Sequence, residues 1–209
     1  MGPGSNTTAF KTLPIHFSRF LLSAVFEIWG GKKYGVPLEG HKGGIAAMIS
    51  IRETTSRDLK DVQKLWADGD VMKFVGFPEG LHETDENMKK WLSWMEEGKP
   101  LRNHYSLFDD GVYCGESFYS IDADHDYSAA LDIKLFSFAR GKGIGTAGLK
   151  HAIKEAFANG AKTVWVDPDP QNVKAIALYQ RLGFVVKEPP SYVAQQEEGY
   201  EAVYMELKP

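Results

Sequence analysis

The sequence predicts one mixed α/β domain, and three observations carry that expectation. A β-rich block lies in mid-chain around an Asp109-Asp110-Gly111 hairpin turn. Alternating helix and strand follow it, which fits one layered unit rather than two domains. Hydrophobic residues make up 43% of the 209 positions, enough for a sizeable core and too many for a disordered chain.

Residues 1–5 read as an expression-vector remnant, and 6–47 as an N-terminal extension of unassigned role. The extension carries one expected helix at about 15–29 and a Gly-rich run from Gly30 to Gly44. Met48 directly precedes a strand-like run, so the native chain starts either there or upstream, and the domain is taken as 48–209. Ile49-Ser50-Ile51-Arg52 alternates as a strand does. Ser56 is expected to cap a helix running to about Ala67, with Leu59, Val62, Leu65 and Trp66 on its inner face. A second helix, about 84–97, starts at Thr84 and buries Met88, Trp91, Leu92 and Met95. Strands are expected at about 103–109, 112–121 and 129–136. After them come a helix (144–159), a strand (162–167), a helix (172–182) and strands at 184–187 and 201–207.

Lys and Arg number 24 against 28 Asp and Glu, a net charge of −4. That balance argues against a nucleic-acid binder working by bulk electrostatics and suits cationic or neutral small molecules. The longest apolar stretch, Phe20 to Trp29, is too short to cross a membrane and contains Glu27. Cys114 is the single cysteine, which excludes an intramolecular disulfide and a paired-cysteine zinc site. The expectation is a cytoplasmic protein with no nucleic-acid or membrane partner, a homodimer being left open.

The most informative segment runs Leu135-Phe136-Ser137-Phe138-Ala139-Arg140-Gly141-Lys142-Gly143-Ile144-Gly145-Thr146. A strand ends, glycines follow at alternate positions, and an amphipathic helix begins with Leu149, Ala152, Ile153, Ala156 and Phe157 inward; Asn159-Gly160 ends it. Glycines let successive amide N–H groups face one concavity, and the helix N-terminus adds positive potential, so a pyrophosphate is the expected occupant. The spacing fits neither the dinucleotide fingerprint nor the Walker loop. A merely flexible loop is the alternative.

The Arg-x-x-Gly-x-Gly pattern at Arg140–Gly145, with the segment from Asp167 to Phe184 holding Asn172 and Tyr179, resembles the GCN5-related N-acetyltransferase (GNAT) superfamily. The tail Glu201-Ala202-Val203-Tyr204-Met205 makes the aminoglycoside 6′-N-acetyltransferases the most similar members. The resemblance covers Ile49 to Lys208. It implies a mixed, mostly antiparallel sheet flanked by helices and acetyl-coenzyme A as cosubstrate, with no metal. By the same resemblance Arg140, Gly141, Lys142, Gly143, Ile144, Gly145 and Thr146 hold the pyrophosphate. Leu135 and Ser137 pair with the pantetheine arm, and Asn172 and Tyr179 reach toward the pantetheine and the sulfur.

Direct transfer needs a neutral amine, an oxyanion donor and a proton for the departing thiolate. Tyr179 is the candidate proton donor, with aromatic packing as its alternative role, and Asn172 is a helix cap, a ligand, or both. Cys114 reads as a buried strand residue with no base beside it.

Between Asp109 and Ile133 lie seven acids (Asp109, Asp110, Glu116, Asp122, Asp124, Asp126, Asp132) and no Lys or Arg. Such a cluster attracts a polycation or accepts a proton, or else consists of turns and solvated loop tips. The loop from Asp122 to Asp126 fails as an EF-hand, with Tyr127 and Ile133 at the positions for Gly and Glu, and His125 reads as an exposed polar residue. Asp132 interrupts an apolar strand and is the first candidate base, matching the family's strand aspartate only with a connection to Arg140 shorter by one residue. Asp122 is the second and Glu116 the third. The acceptor expected is a small or polycationic amine such as an aminoglycoside. Acetylation of a protein N-terminus or ribosomal protein, or a non-catalytic coenzyme A-binding module, are the alternatives.

Overall fold

Seven strands form one sheet: β1 (Ile49–Glu53), β2 (Arg102–Asp109), β3 (Val112–Asp122), β4 (Ser128–Leu135), β5 (Thr163–Val166), β6 (Val185–Val186) and β7 (Met205–Leu207). The computed structural model describes residues 48–194 and 201–209, so the expected helix at about 15–29 and the division at residue 47 lie outside the described residues. Strand order is β1-β2-β3-β4-β5-β7-β6, and every pairing is antiparallel except that of β4 with β5.

Side chains alternate across the strands, so each face acquires its own helix layer. Tyr105, Tyr119, Leu131 and Val164 meet Leu149, Ala152 and Ala156 of the helix Ile144–Ala158. That helix packs so closely that a Cβ on Gly148 would lie 2.7 Å from Leu107 Cδ1. It ends as expected: Gly160 takes φ +99° and Ala161 N–H closes on Ala156 O at 3.0 Å, the bond that terminates a helix on a left-handed glycine. On the opposite face Phe118 and Tyr113 meet Val62, Leu65 and Trp66 of α1 (Leu59–Trp66) and Met88, Trp91, Leu92 and Met95 of the helix Asp85–Glu97.

Several boundaries differ from the sequence expectation. Ser56 does not cap α1, which begins at Leu59. The turn before it is tied instead by Asp58, whose carboxylate accepts from Thr55 N (2.8 Å) and Arg52 Nη1 (2.7 Å). Thr84 does cap its helix, accepting from Asn87 N at 3.2 Å. A short helix, Gly69–Met72, capped by Asp68, and a 3₁₀ turn, Lys73–Val75, fill a stretch with no periodicity to announce them. Ser137 lies in a 3₁₀ turn, Ser137–Ala139, beyond the end of β4, so it cannot extend that strand as expected. The last strands are shorter than expected; Pro189 and Pro190 follow β6 and cannot donate to a ladder. A short helix, Ser191–Ala194, comes next. Cys114 is the extra residue of a bulge, because Leu107 pairs with Gly115 and Phe108 with Tyr113.

One feature of the sheet creates the site. β4 and β5 pair only over Ser128–Ala130 with Thr163–Trp165 and then diverge. Leu131 to Leu135 therefore have no strand partner on the β5 side among the described residues.

Candidate active site

The glycine turn at the end of β4 has the geometry of an anion cradle. Gly141 and Gly143 adopt φ +79° and +82°, where a side chain is strained, and a Cβ at either would meet nothing within 4 Å. Gly143 sits at the N-cap position of the helix Ile144–Ala158, and no side chain caps the amides of that first turn. Open space bounded by uncapped N–H groups fits a pyrophosphate. Lys142 is exposed, 3.9 Å from Asp109, and Thr146 is half-buried in the first helical turn. Arg140 turns away from the concavity: its Nε donates to Leu135 O and its Nη2 to Asp70 O, both at 3.1 Å. The Leu135 carbonyl, at the strand end expected to pair with a pantetheine arm, thus already accepts one hydrogen bond.

Where β4 leaves β5, a cleft of about 200 Å³ opens. Its floor carries His104, Glu116, Asp132 and Lys134, which the strand registers place on one face of β2, β3 and β4. Asn172, Ala175 and Tyr179 of the capped helix Val173–Arg181 form one wall, and Asp167 and Asp169 its rim. The roof comes from residues 66–95. Asn172 is a cap in fact, its Oδ1 accepting from Ala175 N at 3.3 Å, which leaves its amide N–H groups for another partner. Tyr179 is only 6% exposed; burial first, then the charges of Asp132 and Asp167, raise its pKa far above the usual phenol value. It lines the cleft and also meets Phe184 edge-on at 5.7 Å, so packing and access to the cleft coexist in one side chain.

The three candidate acids separate. Asp132 lies in the cleft, one oxygen accepting from Ile133 N at 2.7 Å and the other paired with Lys134. Glu116 is 3% exposed and enclosed by partners: Lys134 Nζ at 3.2 Å, Trp66 Nε1 at 2.9 Å and His104 Nε2 at 3.2 Å. Burial favours its neutral form, but the charge of Lys134, then the nearby His104 ring and the hydrogen bond from Trp66, outweigh burial and hold its pKa well below the carboxylate range. Lys134 is pushed the other way: burial opposes its charge, while Asp132 and Glu116 stabilise it more, so it remains an ammonium bridging the two acids. His104 Nδ1 meets Thr54 Oγ1 at 2.7 Å, whereas its Nε2 is out of line for a hydrogen bond to Glu116 despite the short distance. Asp122 ends β3 as expected but does not line the cleft; it accepts from Asp124 N and His125 N and meets His125 Nδ1 at 2.7 Å. Asp126 pairs with Lys162 and Asp110 accepts from Met48 N, so the acid-rich stretch spreads over both ends of the hairpins instead of converging. Asp167 and Asp169 join the cleft without a signal in the sequence; their place is set by where β5 ends, which no spacing announces.

Among the described residues no group of three His, Cys, Asp or Glu side chains is placed to hold a metal ion, and no helix is long and apolar enough to cross a membrane. Cys114 is buried, and burial raises its pKa, as does Asp109.

A splayed parallel strand pair beside a glycine-rich helix N-terminus defines the class, and comparison with known proteins agrees. The chain belongs to the GNAT acetyltransferase family: the model of the acetyltransferase (GNAT) domain matches residues 49–185. A streptothricin acetyltransferase of Streptomyces lavendulae is 32% identical over 113 residues, which are 53% of this chain and 60% of that protein. The chain thus aligns with less than two thirds of that relative's length. An acetyltransferase of the GNAT family from Streptococcus pneumoniae superposes with a TM-score of 0.64 at 21% identity, over 77% of this chain and 98% of that one. A spermidine N-acetyltransferase from Vibrio cholerae, solved with coenzyme A and spermine, gives 0.64 at 17% identity, over 77% and 95%.

Proposed function

We propose that this protein transfers the acetyl group of acetyl-coenzyme A directly to the primary amine of a small molecule. The observation that carries the reading is the meeting of Asp132 and Tyr179, from a strand and a helix 47 residues apart in sequence, in one cleft on the strand that leads into the glycine turn. The cosubstrate would supply an activated thioester; backbone groups of the Arg140–Thr146 turn would hold its pyrophosphate and Asn172 its amide-bearing arm. Both groups fit what the cradle and the unpartnered side of β4 offer.

Asp132 takes the proton that the ammonium must lose before its nitrogen can attack the carbonyl. Glu116, held charged by Lys134 and closed in by Trp66, positions Lys134 instead, and Asp122 is occupied outside the cleft. Tyr179 keeps its proton at any working pH, so it donates a hydrogen bond to the sulfur as negative charge develops there; full transfer from so weak an acid runs uphill. A roofed cleft of about 200 Å³ supports a small acceptor over a peptide laid in an open groove. The two acids of the acid-rich stretch that reach the cleft are both tied to Lys134, which weakens the argument from charge for an aminoglycoside.

The test is a panel of amines scored by thiol release from acetyl-coenzyme A, covering arylalkylamines, linear polyamines, aminoglycosides and N-terminal peptides. Transfer to a small amine, lost in Asp132→Asn, supports the reading. Transfer to peptides alone overturns the acceptor class, and release with no amine dependence overturns the activity.

A further inference from the structure

We infer that the acceptor is a compact primary amine carried on an apolar ring, and that the roof of the cleft selects it. This rests on the reading of the cleft as an amine-acetylation site. The division of the lining is what points there. Residues 66–95 contribute no charged side chain, only aliphatic, thioether and aromatic ones, including Val71, Phe74, Val75, Phe77, Leu81 and Trp91, and the Trp66 N–H is already donated to Glu116. Among the described residues, charge is confined to the floor and rim, on Glu116, Asp132, Asp167, Asp169 and Lys134. A ligand matching both surfaces has one cationic end and one apolar body.

The roof is also shaped for a ring. Trp66 meets Trp91 edge-on at 5.0 Å and 77°, and Trp91 meets the His104 ring at 4.8 Å and 89°. A further ring entering beside them continues an edge-to-face series, the arrangement aromatic quadrupoles favour. The size agrees: an apolar cavity of about 150 Å³ accepts benzene, and this cleft holds about 200 Å³. That volume is shared with the end of the cosubstrate arm that Asn172 and Tyr179 receive, so it leaves room for one ring on a short aminoalkyl arm and not for several. A multi-ring polyhydroxylated sugar would leave its hydroxyls against the roof with no partner, which discriminates strongly against it. A linear polyamine would set a second ammonium against the same apolar surface.

Binding and turnover test the inference separately. Quenching of intrinsic tryptophan fluorescence in the coenzyme A-saturated protein would give dissociation constants for 2-phenylethylamine, n-butylamine, spermidine and kanamycin. The expected result is that 2-phenylethylamine binds at least about tenfold more tightly than the other three, with little response to salt. Phe77→Ala should weaken 2-phenylethylamine by about tenfold and n-butylamine by no more than about twofold. Val75→Asp, which puts a carboxylate in the roof, should favour spermidine over 2-phenylethylamine even where Phe77→Ala folds poorly. Tightest binding of spermidine or kanamycin, weakened by salt, would overturn the inference. Thiol release assayed with the same amines separates the two claims: tight 2-phenylethylamine binding without release sinks the acetyltransferase reading alone, and release with spermidine only sinks the ring-bearing acceptor alone.

Discussion

The guanidinium of Arg140 donates through Nη2 to the backbone carbonyl of Asp70 at 3.1 Å, joining the glycine turn to the short helix that begins the roof of the cleft. The same side chain holds Leu135 O through Nε. One planar fork thus spans the end of β4 and a segment 70 residues earlier, and a lysine cannot make both bonds in that geometry. Arg140→Lys should raise KM for the amine by about three- to tenfold, the range of one or two exposed hydrogen bonds, and change KM for acetyl-coenzyme A less. Steady-state kinetics with each substrate varied in turn would check this; an unmoved amine KM would mean the roof holds its place without the link.

Gly143 tests the cradle. A Cβ there would meet nothing within 4 Å, so a valine side chain enters the open space assigned to the phosphates, and its φ of +82° adds strain of about 1–2 kcal/mol. Gly143→Val should fold with a modestly lower Tm and lose the rise in Tm that coenzyme A gives the unmodified protein. Thermal melts with and without coenzyme A decide it, and an undiminished rise in the variant would move the phosphate site elsewhere.

Tyr179→Phe keeps the ring against Phe184 and removes only the hydroxyl. If that hydroxyl serves the sulfur late in the reaction, kcat should fall by about 10- to 100-fold with KM for acetyl-coenzyme A nearly unchanged. Turnover equal to the parent protein would leave the phenol as packing.

Glu116 makes a prediction about acid stability. Its pKa in the folded protein is depressed, so the unfolded chain binds its proton more readily and the stabilisation is present above the ordinary value of 4.5 and lost as pH falls below it. Glu116→Gln should flatten that part of the pH–stability curve. At neutral pH it should cost about 3 kcal/mol, since Lys134 then keeps Asp132 as its only carboxylate. Denaturant melts at a series of pH values measure both effects; an equally steep acid limb in the variant would assign it to other carboxylates.

The sequence alone determined the parts of this protein governed by neighbours in the chain. The helix Ile144–Ala158, its glycine-rich entry and its Gly160 exit follow from local backbone preference and a 3.6-residue apolar period, and so do the inner faces of the helices ending at Trp66 and Glu97. Asn172 and Tyr179 share a helix and, being two turns apart, share a face. Tertiary structure decided what depends on distance in space. Glu116, Asp132 and Lys134 come together because β3 and β4 pair in one register, and a slip of β4 by one residue would send Asp132 and Lys134 to the face opposite Glu116. Asp122 leaves the candidate base set because the loop it begins uses its carboxylate for its own turn. Asp167 and Asp169 enter the cleft only because β5 ends where β4 has already diverged. The roof is the largest such case: the segment from Gly69 to Leu81 has no periodicity to read, and its apolar side chains acquire a role only when the sheet supplies the charged floor beneath them.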